Sequence, residues 1–309
     1  MTKYIRRLLV LICYVGIQGC FSDSSSQNEI LLFKDATDTI SLIPLPSSVD
    51  VEYRKSVVYD PVFLADGRKR MKGITNAPKD EDDFRFADLD GIVWNNVSVK
   101  NGDFRGVSFR TANCKHSDFS ASDFRFADLR WSLFESSDLS NSRFTQATLF
   151  RSSMKDAKIH DSDLRGCNLF GLKGHRADFR NCDFSNSLMK ESELTDADFS
   201  RSKAIKVIFL ISVFSGSRFD SVDFSYSDFT GAGLEDASFI NSRLHGVVFR
   251  GAHLQYADFS GADLKGSNFF GAELAETNFK GARNIPDYLK DMIVDGYATG
   301  IVFHHQNPE

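Results

Sequence analysis

No catalytic fingerprint is present in the 309 residues. There is no G-x-S-x-G, no P-loop and no dinucleotide-binding glycine pattern. The seven histidines include no HExxH pair and none at a metal-like interval from a cysteine, CxxC is absent, and His304 and His305 simply adjoin in the tail. These absences leave no ground for an enzyme, a metal or a cofactor. Charge of one sign is also lacking: 37 Lys+Arg face 42 Asp+Glu, a formal net charge of −5, which advertises no nucleic-acid partner. The apolar run Leu8–Ile17 is too short to span a bilayer. Cysteine is scarce, five residues in all, with no spacing that implies a disulfide framework.

What the chain has instead is a period of five. From Phe84 to Phe279 a large apolar residue, written i, returns every fifth position, forty times, twenty as Phe and twelve as Leu. The exceptions are Trp94, Val99, Cys114, Met154, Ile159, Gly174, Met189 and Ala204. Two residues before each lies a small one: thirty of the forty i−2 positions are Ala, Ser or Cys. Five residues turn an α-helix through about 500°, so no apolar face results. On a continuous strand, residues five apart point to opposite faces. Short extended pieces that aim i−2 and i inward, each followed by a corner, satisfy the pattern. Glycine recurs at i+2, as in Gly91, Gly106, Gly166, Gly216, Gly231, Gly246, Gly261, Gly266 and Gly281, where a corner needs it.

From Phe229 to Phe279 the i residues alternate Phe and Leu. A three-sided coil of fifteen stacks Phe over Leu, whereas a four-sided coil of twenty stacks like on like. One side then carries Phe179, Phe199, Phe219, Phe239, Phe259 and Phe279, and the opposite side Phe209, Phe229, Phe249 and Phe269.

Runs such as Ala257-Asp258-Phe259-Ser260-Gly261, Ala262-Asp263-Leu264 and Ala127-Asp128-Leu129 resemble the pentapeptide-repeat family, whose pattern is Ala-(Asp/Asn)-(Leu/Phe)-x-x. The resemblance implies an all-β fold, a right-handed four-sided parallel β-helix. About ten coils at strand spacing give a rod roughly 48 Å long, with ends that need capping.

The flanks read differently. Lys3, Arg6 and Arg7 followed by the short apolar run form a signal peptide over residues 1–19. It ends at Ile17-Gln18-Gly19-Cys20, which resembles a bacterial lipobox and makes Cys20 the lipidation site of an envelope lipoprotein. Phe21, rather than Asp, after that cysteine implies the outer membrane, facing the periplasm. Residues 20–29 are a Ser-rich tether. Residues 30–82, with β-formers at Ile30–Phe33, Ile40–Ile43 and Val49–Phe63, are a non-repeat segment expected to cover the first coil. The repeats occupy 83–283. Over 284–309 the stripe Ile285, Tyr288, Leu289, Met292 and Ile293 predicts a short amphipathic helical cap and then a tail. Two interior irregularities stand out: Gly174 with its bulky neighbour Leu172 predicts a local distortion, and Ala204 after Ser202 a void or bend.

Outward carboxylates at i−1, among them Asp83, Asp103, Asp123 and Asp163, are followed two residues later by Arg85, Arg105, Arg125 and Arg165. That alternation predicts a self-neutralising surface rather than an acid/base or metal site. Some family members act as DNA mimics that bind a type II topoisomerase, which is the alternative function. Residues 84–283 nevertheless carry no dense negative field. The expected partner is a protein, or a second copy in a homodimer, on one apolar side. Trp131, Phe150, Phe170, Leu188, Ile208, Leu210, Ile211, Val248 and Phe270 all project from the side of Phe209 and Phe229.

Overall fold

Each inward Phe or Leu has a backbone that reaches to the next coil. In the computed structural model, which describes residues 31–34, 40–43, 78–298 and Gly300, Phe104 N–H donates to the Asp123 carbonyl at 2.8 Å and Asp123 N–H to Gly102 at 2.9 Å. The outward i−1 residues accordingly form parallel bridges twenty positions apart. One column starts at Asp83, Asp103 and Asp123 and ends at Asp263 and Arg283; three others start at Asp88, Val93 and Ser98. Twenty residues per coil and four columns establish the four-sided parallel β-helix. Cys20, the expected leader and tether, most of the segment before Pro78 and the tail after Gly300 lie outside the described residues. Within that early segment, β1 (Leu31–Lys34) and β2 (Ile40–Ile43) pair antiparallel.

The interior is a stack of rings. Phe219, Phe239 and Phe259 follow one another at 5.0 and 4.7 Å between centroids, and Phe209, Phe229 and Phe249 at 4.4 and 5.3 Å. Edge-on contacts join the two columns, as between Phe239 and Phe249 at 5.7 Å. Both geometries are favourable for aromatic quadrupoles. Every corner puts its i+2 residue at positive φ, whether glycine, as at Gly251 (φ 62), or not, as at Asn181 (φ 59) and Ile211 (φ 56).

The small i−2 residues do more than leave room. Where the corner lacks its own i→i+3 hydrogen bond, a serine hydroxyl of the next coil accepts the inward N–H. Gly102, Ser122 and Ser142 donate in turn to Oγ of Ser122, Ser142 and Ser162 at 3.0, 3.2 and 2.9 Å. Each hydroxyl passes its own proton to a carbonyl one coil back: Val99, Phe119 and Leu139. Buried N–H groups are thereby satisfied without water. Cys182 continues that column, its Sγ 3.2 Å from the Ile159 carbonyl. Cys114, Cys167 and Cys182 are free and buried, and burial pushes their thiols up out of the reactive range.

At Gly174 the ladder continues unbroken through Gly174 N–H to the Glu193 carbonyl. A Cβ there would lie 2.6 Å from Leu194 Cδ2 and 3.3 Å from the Phe179 ring, so neighbours already occupy the space. At Ala204 the ladder also holds, with its N–H on Asp223 at 2.8 Å. The aromatic column is interrupted there, and Phe184 and Phe224 turn to Phe199 and Phe209, at 5.4 and 5.7 Å.

The C-terminal segment departs from the expected helix. Only one turn forms, α1 (Asp287–Lys290), followed by a hairpin of β3 (Ile293–Val294) and β4 (Tyr297–Ala298). The cause is the last coil, whose inward N–H groups have no further coil to meet. Each finds a separate acceptor here: Leu264 the Arg283 carbonyl, Phe269 the Tyr288 hydroxyl, Leu274 the Gly300 carbonyl and Phe279 the Gly296 carbonyl. A longer helix would turn its carbonyls onto itself and leave those donors unpaired.

Candidate interaction surface

Three of the four sides are dominated by polar and charged residues, and many of their carboxylates are engaged. Asp83, Asp103, Asp123 and Asp163 meet Arg85, Arg105, Arg125 and Arg165 at 2.7, 2.6, 2.8 and 2.6 Å. The Arg85 guanidinium holds the Asp83 carboxyl below its ordinary value. Where serine or threonine follows instead, the carboxylate accepts the turn N–H, as Asp258 does from Ser260 at 2.8 Å and Asp228 from Thr230 at 2.9 Å. The acidic rows thus fasten corners and neutralise guanidinium groups, as the spacing predicts. Among the described residues, no group of three or more His, Cys, Asp or Glu side chains could hold a metal ion.

The apolar side divides into three parts. First comes an aromatic stack: Trp131 meets Phe150 edge-on at 5.6 Å, and Phe150 lies on Phe170 at 5.2 Å and 13°. Arg130 and Arg151 sit over Trp131 and Phe150 at 5.4 and 5.5 Å. Phe150 consequently retains only 4% of its surface. Its expected place in an exposed strip is corrected: it points away from the core, but neighbouring outward residues bury it. Second, at the far end Phe270 stacks on Tyr288 at 4.6 Å, so the C-terminal segment partners it.

The third part remains open. Leu188, Leu210 and Val248 are half-buried, while Ile208 and Ile211 stand 41% and 62% exposed. Sequence reasoning missed two neighbours. Val213, 42% exposed, continues the patch around the corner, and Tyr226, 66% exposed, borders the same side. Both were findable from register, since 213 is an i−1 position and 226 an i+2 position. Tyr226 lies down on Gly246, whose Cβ would fall 2.9 Å from the ring.

Comparison with family models decides the classification. A model described as "Pentapeptide repeat region" matches residues 212–283, and one described as "Pentapeptide repeats (8 copies)" matches 100–135, 127–166 and 175–209; together they span more than half of the chain. The chain belongs to the pentapeptide-repeat family. Membership carries the right-handed sense of the coil. Similar solved pentapeptide-repeat structures include HetL, involved in heterocyst differentiation regulation in the cyanobacterium Nostoc, at 23% identity and TM-score 0.36, covering 76% of this chain and 96% of that one. Full-length QnrB1, a plasmid-mediated fluoroquinolone resistance protein, is 18% identical at TM-score 0.26, covering 63% and 94%. A pentapeptide-repeat protein of the Arabidopsis thaliana thylakoid lumen is 22% identical at TM-score 0.13, covering 50% and 69%. No curated protein matches.

Proposed function

We propose that this pentapeptide-repeat chain is a non-enzymatic protein-binding or scaffold module held at the bacterial envelope by a lipid on Cys20. The reading places it on the outer membrane, facing the periplasm. The observation that carries the binding role is the patch of exposed Ile208 and Ile211 beside half-buried Leu210, on a rod where many of the carboxylates are paired with arginine or lysine. A flat wall of parallel coils suits a broad protein interface better than a small-molecule pocket. The DNA-mimic alternative calls for a dense field of free carboxylates, and the Asp–Arg pairs supply its opposite.

Fractionation of cells producing the wild type and Cys20→Ser tests the anchor. The wild type sediments with membranes and the variant does not; a soluble cytoplasmic wild type ends the lipoprotein reading. Cross-linking in the same cells tests the patch. Ile208→Ser with Ile211→Ser abolishes the cross-linked product while leaving the fold intact, and an undiminished product ends the interface.

A further inference from the structure

We propose that the occupant of this patch is a second copy of the chain, packed side against side with the two rods antiparallel. The inference rests on the binding role just given and names its partner. Its first support is backbone strain. Ile211 sits at φ 56, a left-handed conformation that β-branched residues rarely adopt. Thr111, at φ 55, turns its hydroxyl onto the Arg110 carbonyl at 2.7 Å; an isoleucine has no such group. A strained aliphatic that leaves 62% of its surface in solvent adds nothing to the fold of one rod. Strain of this kind persists where it serves a function.

The second support is relief. Along the same corner, the positions after Ile211 are Gly231, Gly251 and Gly271. A Cβ at Gly251 would meet nothing within 4 Å, and at Gly231 the nearest atom is Ile211 Cγ1 at 3.8 Å. One knob is therefore followed by a trough of bare backbone on the same face.

Knob and trough match under a two-fold axis. An axis lying in the interface, perpendicular to both rods, keeps every column opposite itself and reverses the order of the coils. Placed between the Ile211 coil and the Gly231 coil, it sets Ile211 of each copy on Gly231 of the other. The same operation sets Leu188 against Val248 and Phe170 against Phe270, and Ile208 against Asp228, whose carboxylate is held by the Thr230 N–H and hydroxyl. Glu191, beside its own Lys190 at 3.6 Å, falls next to Arg250 of the other copy and offsets the like charges there. The six coils that the axis pairs, at about 4.8 Å each across a side roughly 14 Å wide, bury roughly 800 Å² in all, the size of a weak, reversible interface.

Sedimentation of the full chain in mild detergent reads the assembly. The wild type is a dimer in the micromolar range. Ile211→Asn, the residue that other corners such as Asn181 and Asn241 already carry at this φ, removes the knob, relieves the strain, and weakens dimerisation at least about tenfold without lowering Tm. Leu188→Cys combined with Val248→Cys reads the register. Directly opposed walls stand about 10 Å apart, whereas three coils, roughly 14 Å, separate these positions within one chain, so a bis-maleimide of about 8 Å span gives a covalent dimer only across the two-fold. A monomeric wild type, a dimer insensitive to Ile211→Asn, or failure of the cysteine pair to cross-link each overturns the proposal. If the wild type is monomeric yet cross-links to another protein in cells, the second copy is excluded while the binding role stands. If no cross-linked product forms with anything, both fall.

Discussion

Truncation of Phe239 to alanine measures how rigid this interior is. The ring is fully buried, stacked on Phe219 and Phe259 at 5.0 and 4.7 Å and met edge-on by Phe224, Phe229 and Phe249 at 6.1, 6.2 and 5.7 Å. Losing a buried Phe costs about 3–5 kcal/mol, depending on how far the surroundings collapse into the cavity. Collapse is restricted here. The coils on either side are fixed by hydrogen bonds of 2.7 Å from Phe219 to Ser238, Phe239 to Asp258 and Phe259 to Asn278. The upper part of the range, about 4–5 kcal/mol, follows. Asp258→Ala on the same coil is the reference. It removes one acceptor from Ser260 N–H at 2.8 Å and from Asn278 Nδ2 at 3.1 Å, where water can substitute, for about 1 kcal/mol. Urea titration of the two variants, compared at a common slope, gives midpoints displaced in that ratio. Comparable losses would refute the assignment of inward and outward positions.

Two further outcomes are expected. Ser142→Ala leaves the Ser122 N–H without its acceptor at 3.2 Å and costs about 1–3 kcal/mol. Ser132→Ala costs less, because that hydroxyl donates only to a Leu129 carbonyl which already accepts the Ser132 N–H; equal losses in a denaturant titration refute the ladder. At the surface, His245 Nε2 at 3.0 Å and Asn284 Nδ2 at 2.7 Å hold the Asp263 carboxyl at about 2, against 3.8 ordinarily. A lowered folded pKa contributes stability that is complete above the unfolded value and lost as pH falls through the folded one. Asp263→Asn should therefore lower Tm at pH 6, with the gap narrowing below about pH 4 and mostly closed by about pH 2; a gap undiminished at pH 2 refutes the cause.

The coil was legible because its period leaves one solution. A large residue every fifth position cannot face inward on a helix or a continuous strand, and the Phe–Leu alternation after Phe229 selects four sides. The Asp–Arg rows were legible for a similar reason, since residues two apart on an outward piece are neighbours. The serine ladder was not. Ser122, Ser142 and Ser162 fill the same volume as the alanines in equivalent positions, so size alone hides the hydroxyl's task of accepting an inward N–H. The C-terminal stripe misled because a 3.6-residue periodicity says nothing about donors elsewhere. Leu274 and Phe279 needed carbonyl partners, and the residues around the hairpin supply them through Gly300 and Gly296.

For the apolar side, register told which residues point outward but not which remain accessible. Side-chain shape decides that. Coils repeat near 4.8 Å, close to the spacing of stacked rings, so planar residues on successive coils cover one another. Phe150 and Phe170 do so at 5.2 Å, and Tyr288 extends the same device to Phe270 at 4.6 Å. Branched aliphatics have no flat face to share and cannot close against their neighbours in this way. Ile208 and Ile211 stay exposed although the aromatic residues on the same side are larger and more hydrophobic. Accessibility along this wall therefore depends on whether a ring sits one coil away to stack on, and the residues a partner can reach are Ile208 and Ile211, with Tyr226, which lies on Gly246 and not on a ring, at their border.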